Sequence, residues 1–222
     1  AIQTLDALEH IRLRTGMYIG RIGDGSNPAD GIYVMLKEVI DNSVDEYIMG
    51  HGKRVVITRD GSQVTVRDFG RGIPLGKVVD CVSKINTGGK YNDDVFQFSV
   101  GLNGVGNKAV NALSSRFEVA SFRDGNFKRA HFERGKKKGE KGGKEAKEKP
   151  GTLIRFEPDP EIFGDFEWRE EYLEHRLRYY AFLNSGLTLE YNGQRFTSKN
   201  GLADLLAYEL GDEPALYEPM HC

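Results

Sequence analysis

IYVMLKEVIDNSVDEYIM, residues 32–49, has the spacing of one amphipathic helix. At 100° per residue Ile32, Leu36, Val39, Ile40, Val44 and Tyr47 share a broad face, while Glu38, Asn42 and Asp45 share a narrow wedge on the opposite side. Taken alone, such a wedge is more often the solvated side of a core helix than a site. Glu38 and Asn42, however, stand one turn apart. A carboxylate and a carboxamide on one rigid helix can divide a hydrolytic task, the amide oxygen ligating Mg²⁺ and the carboxylate taking a proton from water.

Outward from this helix, Gly50 and Gly52 stop it, and RVVITRDGSQVTVRD at 54–68 gives two alternating runs joined at Asp60-Gly61, a hairpin signal. Val64, Val66 and Asp68 share parity. If the valines face the core, Asp68 points into the same apolar side, where an ionised carboxylate is costly unless something donates to it. GRGIP at 70–74 ends the strand and leads into a short helix over 75–85, and the polar, Gly-hinged run 87–99 has the character of a segment that orders over a ligand. Gly101, Gly104 and Gly106 then open a helical pattern over 108–113. Glycines there let backbone N–H groups approach oxygens closely, and a helix start adds partial positive charge. No Gly-Lys-Ser/Thr follows Gly106, so this is not a Walker loop, and the spacing is the reverse of a dinucleotide fingerprint.

The remaining pattern is a hairpin over 117–133 turning at Asp124-Gly125-Asn126, a strand over 151–156, a helix over 168–182, a hairpin over 187–196 across Asn192-Gly193 and a helix over 202–210. Upstream, Leu5, Leu8 and Ile11 mark a short helix, and the turn formers of 14–31 predict a surface loop without regular structure. Residues 136–149 hold seven lysines and three glutamates among glycines and cannot bury a core; they predict a solvated, mobile insertion, or else a local DNA-contacting loop. Helices interleaved with hairpins predict an α+β architecture, with helices layered on one face of a mixed sheet.

The 222 residues are 39% hydrophobic, enough for a real core, and the net charge of −2 supplies no global field for nucleic acid. Cys81 and Cys222 stand far apart, with no Cys/His cluster, which argues against zinc and disulfides and for a reducing compartment. With no signal peptide and no apolar run near the ~18 residues of a membrane span, the expectation is a cytoplasmic chain with no membrane partner. A start without Met and a stop soon after a helix are expected of a piece of something longer.

Glu38-Val39-Ile40-Asp41-Asn42, Asp68-Phe69-Gly70-Arg71-Gly72-Ile73-Pro74 and Gly101-Leu102-Asn103-Gly104-Val105-Gly106, in that order, resemble the N, G1 and G2 boxes of the GHKL ATPases. That superfamily covers gyrase, heat-shock chaperones, histidine kinases and MutL. Within it GMYIG at 16–20, TGGKY at 87–91 and Gly151-Thr152 resemble the B subunits of bacterial type II topoisomerases, gyrase or topoisomerase IV, from about Ile2 to the C-terminus apart from the lysine-rich insertion. Thr15 stands in place of a proline, Phe96 of a tyrosine, Gln97 of a lysine and Asn103 of a histidine, which blurs the paralogue.

The resemblance implies the GHKL (Bergerat) two-layer α/β sandwich, its sheet mixed and mostly antiparallel. It also implies a single ATP-binding domain over 1–222, with an insertion at 135–150 and without the family's dimerisation arm and transducer domain. Glu38 is then the general base, Asn42 the Mg²⁺ ligand and Asp68 the acceptor for the adenine amino group. Thr152 supports Asp68 and a bridging water, Glu46 and Arg71 pair beside the adenine, and Gly72, Ile73 and Pro74 flank it. Gly101, Leu102, Asn103, Gly104, Val105 and Gly106 wrap the phosphates, Lys90 belongs to the lid, and Arg129 lies at the pocket mouth. Read as residues alone, Glu46–Arg71 is a surface ion pair worth little, and Arg129 is equally an exposed strand residue. The implied partners are ATP, DNA and the topoisomerase A subunit through the full-length enzyme, with homodimerisation of the intact ATPase region and a monomeric fragment. The rival readings are a MutL-like or chaperone-like ATPase, a histidine-kinase catalytic domain, and a nucleotide-binding domain without turnover.

Overall fold

A computed structural model describes residues 6–84, 105–145 and 147–211. In chain order come helices α1 (Ala7–Leu13), α2 (Thr15–Ile19) and α3 (Gly31–Ile48), then strands β1 (Arg54–Asp60) and β2 (Gln63–Asp68). A 3-10 turn (Leu75–Lys77) runs into α4 (Val78–Ser83), and α5 (Gly106–Ala112) precedes β3 (Ser114–Arg123), β4 (Asn126–Glu133), β5 (Lys136–Lys144) and β6 (Gly151–Pro158). Helices α6 (Pro160–Phe163) and α7 (Glu170–Leu183), strands β7 (Thr188–Tyr191) and β8 (Gln194–Phe196), and α8 (Leu202–Leu210) complete the described chain. Asp124-Gly125 and Asn192-Gly193 turn two of the predicted hairpins with positive φ at both residues, which matches the right-handed twist of the strands they join.

The strands form one sheet in the order β5-β4-β3-β6-β2-β1-β7-β8, antiparallel throughout except for the parallel pair β1 and β7. Period-2 alternation separates its faces. Val55 and Ile57, Val64 and Val66, Phe117 and Val119, Ile154 and Phe156, and Leu189 and Tyr191 are buried and meet the helices in one core. The intervening Arg54, Thr65, Glu118, Arg129 and Arg155 lie on the other face, which is polar. This is the expected two-layer α+β sandwich. Among the described residues no helix is long and apolar enough to cross a membrane.

Helix α3 lies deeper than its pattern predicts. Of its 18 residues only Lys37 and Ile48 are exposed, and Tyr33, Ser43 and Glu46 are buried beside the predicted apolar face. The wedge of Glu38, Asn42 and Asp45 is half-buried, so it faces other parts of the chain and not open solvent. The 14–31 segment also departs from expectation, since Thr15–Ile19 is helical. Thr15 Oγ1 donates to the Ile11 and Arg12 carbonyls, Ile19 is buried in the core, and the Asp30 carboxylate accepts from the Gly25 and Asn27 amides and from Arg21. Internal acceptors of this kind give turn-rich sequence a fixed path.

The lysine-rich segment departs most. In place of a mobile insertion, Lys136–Lys144 is an edge strand paired with β4 after a turn at Arg134-Gly135, both at positive φ. It buries no core, as its composition requires, and an edge strand needs none because its main-chain bonds to one neighbour suffice.

Phe156 is fully buried at the centre of the sheet, edge-on to Trp168. Phe156→Ala is expected to lower stability by about 3–5 kcal/mol in urea denaturation. A loss under about 1 kcal/mol would show that β6 is not the spine of the core.

Candidate active site

Three elements converge on the C-terminal end of β2. Asp68 ends that strand with only 6% of its surface exposed, on the side that faces α3. Its Oδ1 accepts from the Gly70 amide at 3.0 Å and the Thr152 amide at 3.1 Å, and Ser43 Oγ of α3 donates to Oδ2 at 3.4 Å. These are the donors its buried position demands. Burial nonetheless dominates and pushes the carboxyl up to about 6, against the lowering by the two amides and Arg67. Ser43 is absent from the sequence expectations; its position next to Asn42 and three residues from Ile40 places it on the buried face, and that was its only signal.

Gly151 begins β6 at φ +135°, and a Cβ there would lie 2.2 Å from the Asp68 carbonyl oxygen. Only glycine lets β6 come close enough for the Thr152 amide to reach the carboxylate. Behind the strand, the Arg67 guanidinium lies over the rings of Phe69 and Phe122 and donates to the carbonyls of Asp68 and Lys149. One turn further along α3, Glu46 is 3% exposed and receives the Arg71 amide at 2.9 Å and its guanidinium at 2.8 and 3.2 Å. Burial would raise the Glu46 carboxyl, but the bonds from Arg71 outweigh it and hold it below its usual range. The pair is therefore no weak surface bridge, and removing one partner would leave a buried charge. Gly72 is buried beside it, Ile73 is fully buried with its carbonyl held by the Ser121 hydroxyl at 2.6 Å, and Pro74 is half-buried.

Towards the other end of α3 the environment changes. Glu38 lines a cavity of about 310 Å³ with Val105, Gly106, Met35 and Tyr18. Burial raises its carboxyl above the usual range, the direction that suits a base near neutral pH. A Cβ on Gly106 would meet Glu38 Oε2 at 2.4 Å, so the absence of a side chain at the start of α5 is what leaves the carboxylate its place. Asn42 Nδ2 donates to the Glu38 carbonyl at 2.8 Å, which leaves Oδ1 as an acceptor. Eight residues separate Glu38 from Glu46, about 12 Å along a helix axis, so one ligand that touches both ends of the site must be elongated.

Among the described residues no group of three or more His, Cys, Asp and Glu could hold a metal. A single amide oxygen at Asn42 suits Mg²⁺ only if the ligand brings further oxygens, as phosphates do. Arg129 does not join the site: it lies on the opposite sheet face, paired with Glu118 at 3.0 Å. Lys90, Gly101, Leu102, Asn103 and Gly104 lie outside the described residues; of the glycine run, Val105 and Gly106 are described.

The chain matches the histidine kinase-, DNA gyrase B- and HSP90-like ATPase family over residues 27–162. It is 57% identical to the B subunit of DNA topoisomerase 4 from Borreliella burgdorferi over 98% of its length, and 40% identical to the B subunit of DNA gyrase from Thermotoga maritima over its whole length. It spans 36% of the length of each of these relatives. The crystal structure of the 43K ATPase domain of Thermus thermophilus gyrase B in complex with an aminocoumarin superposes with a TM-score of 0.80 at 30% identity, covering 100% of this chain and 61% of that one.

The Asp68 carboxyl sets a stability test. Unfolded, an aspartate titrates near ~3.9; folded, this one is raised, so the folded chain binds the proton more tightly. Stability is then fully present below about pH 4 and declines as pH rises through about 6. Asp68→Asn removes that decline. In urea denaturation the variant should gain about 2–3 kcal/mol on the wild type between pH 4 and pH 7.5. Parallel pH profiles would mean that Asp68 is not strained by burial.

Proposed function

The chain belongs to the histidine kinase-, DNA gyrase B- and HSP90-like ATPase family, and from that premise we propose that it is the ATP-binding and hydrolysing part of the B subunit of a type II DNA topoisomerase. The observation that carries the reading is the buried Asp68 carboxylate, braced from Gly70, Thr152 and Ser43, with Glu38 lining a cavity further along the same helix that supplies Ser43. A buried acceptor of that kind selects a ligand with an N–H donor in a flat apolar body, and the adenine amino group supplies it. Guanine presents a carbonyl oxygen at the matching position, which faces the carboxylate unfavourably.

In this reading Asp68 and Thr152 hold the base, the Glu46–Arg71 pair closes its side, and Gly72, Ile73 and Pro74 pack against it. The start of α5 at Val105 and Gly106, with Lys90 and the run 101–104, receives the phosphates. Asn42 Oδ1 would hold Mg²⁺, which neutralises charge on the phosphates. Glu38 takes the proton from water as the water oxygen bonds to the terminal phosphorus and the bond to the leaving ADP oxygen breaks. Burial keeps that carboxylate basic enough for the task. In the parent enzyme, ATP-driven closure of a dimer would be coupled to passage of a DNA segment, with a topoisomerase A subunit as partner. Residues 1–222 would act there as one domain of a longer chain.

Titration calorimetry with a non-hydrolysable ATP analogue and Mg²⁺ tests the base site. A hydrogen bond to a charged group contributes ~1.5–3 kcal/mol, so Asp68→Asn should bind roughly 10- to 150-fold more weakly, and the guanine analogue poorly. Tight binding that ignores both changes would sink the assignment.

Turnover is tested in the full-length protein, where Glu38→Ala should lower kcat by at least roughly 100-fold while the analogue still binds. Gly106→Ala provides an independent check, because the added methyl displaces the Glu38 carboxylate without straining the helix. It should keep wild-type thermal stability and lose at least about tenfold in kcat. Undiminished kcat in both variants would mean that a group other than Glu38 activates the water.

A further inference from the structure

We propose that the lysine-rich edge strand β5, with the adjoining outer face of β4, β3 and β6, is a docking surface for the sugar–phosphate backbone of duplex DNA. The inference rests on the topoisomerase reading and adds a surface to it, on the side of the sheet opposite the nucleotide site.

Charge segregation is the first observation. Residues 136–149 carry seven lysines against three glutamates, in a chain whose net charge is −2. The chain as a whole offers a polyanion no attraction, and this one margin does. The second observation is how those charges are held. As an edge strand, β5 fixes its lysines along a line; it is exposed along almost its whole length. Lys136 and Lys141, opposite Glu133 and Arg129, share the polar face, Lys144, opposite Asn126, takes the other parity, and Lys147 and Lys149 follow the strand, so the charges line one edge of the sheet and are not a diffuse cloud.

Ion pairing within the hairpin leaves much of this charge unspent. Glu140 is taken by Lys128 and Lys137, both at 2.8 Å, Glu133 by Lys138 at 3.5 Å, and Glu148 lies 3.7 Å from Arg67. Lys136, Lys141, Lys144, Lys147 and Lys149 make no ion pair among the described residues. The third observation is continuity. The register Ala120↔Arg129↔Lys141 places Lys141 on the face that bears Arg129 and, through Glu118↔Arg155, Arg155. Arg116 and Arg155 also line a cleft of about 260 Å³ there with His131 and Glu118. Two acids line it: Glu118, engaged by Arg129 at 3.0 Å and Arg155 at 3.5 Å, and Glu133, 3.5 Å from Lys138.

Lysines on an edge strand also keep sheets from pairing edge to edge, but one or two suffice for that. Five unpaired lysines that continue into an arginine-bearing face exceed the requirement. Three on the edge strand and two just beyond it, they offer a fixed line of cations to the repeated phosphates of a duplex, and a contact made to phosphates is expected to ignore DNA sequence.

The test is fluorescence anisotropy of a labelled 30-bp duplex with the 222-residue chain, at KCl concentrations from 50 to 200 mM, beside an ATP-analogue titration of the same samples. If the five unpaired lysines each neutralise one phosphate, the log–log salt slope is about −4.5, a loss of roughly 500-fold over that range. The fivefold Lys→Gln variant at 136, 141, 144, 147 and 149 should flatten the slope by about 4.5 and bind at least tenfold more weakly at 50 mM. The fivefold Lys→Arg variant keeps the charge and should bind as the wild type does. Both should bind the ATP analogue normally, which also certifies their folding. Absence of duplex binding at 50 mM, or a Lys→Gln variant that retains the wild-type slope, overturns the surface while leaving the nucleotide site standing. Polyglutamate binding as tight as duplex binding overturns it in favour of an acidic protein partner. Duplex binding by a chain that binds no nucleotide would support the surface and overturn the ATPase reading instead.

Discussion

Asp68 places a carboxylate under the helical layer, where water cannot solvate it, and the surrounding structure is built to make that tolerable. Two backbone amides and one hydroxyl donate to it, from three different parts of the chain. The Gly70 amide comes from the loop that follows the strand, the Thr152 amide needs β6 drawn against β2, and the Ser43 hydroxyl needs α3 laid across both. Removing any one donor exposes the carboxylate to an uncompensated desolvation of about 1–3 kcal/mol. The site is thus assembled by the same contacts that pack the domain core, and it cannot be moved without moving them. What remains of the strain, visible in the raised carboxyl, is the part that a ligand with an N–H donor would relieve.

Helix α3 carries that constraint to the other end of the site. Because Glu38, Asn42, Ser43 and Glu46 lie on one rigid element, the distance from Ser43, which braces Asp68, to Glu38 is set by helix geometry and not by loops. Loops supply only what a helix cannot: the close approach of backbone. Gly151 and Gly106 are two places where this is quantitative, one admitting the Thr152 amide to Asp68 and the other admitting α5 to Glu38. Each glycine borders a carboxylate, so backbone proximity and carboxylate placement are a single requirement.

Much of this was legible in the sequence, for reasons that differ from residue to residue. The parity of Val64, Val66 and Asp68 announced a carboxylate facing the core, because strand periodicity leaves no other choice. The hairpin turns at Asp124-Gly125 and Asn192-Gly193 were readable because few residues adopt positive φ. What escaped was tertiary. The burial of Glu46 depends on the three bonds of Arg71, 25 residues away, and no local pattern encodes that. Ser43 carried no signal beyond its place on the buried face of α3. β5 was the clearest loss: composition correctly excluded a core but says nothing about main-chain pairing to a neighbouring strand, which is indifferent to side chains. Arg129 failed for the opposite reason, since a resemblance fixes sequence position but strand parity fixes the face.

Parity also explains how one sheet can serve two chemistries. Arg67 and Asp68 are adjacent on β2 and therefore point to opposite faces, Asp68 towards α3 and Arg67 to the polar side. Arg67 is nevertheless tied to the site: it donates to the Asp68 carbonyl and to the Lys149 carbonyl, and the rings of Phe69 and Phe122 flank its guanidinium. A desolvated cation between two aromatic faces gains on the order of 2 kcal/mol, enough to hold the side chain in place. The end of the lysine-rich segment is thereby fastened to the main chain that bears the Asp68 carboxylate. The two faces of the sheet thus meet at adjacent residues of one strand. A single guanidinium joins the Lys149 and Asp68 carbonyls, so residue 149 is held to the strand that carries Asp68 by a path that lies outside the helix-covered core.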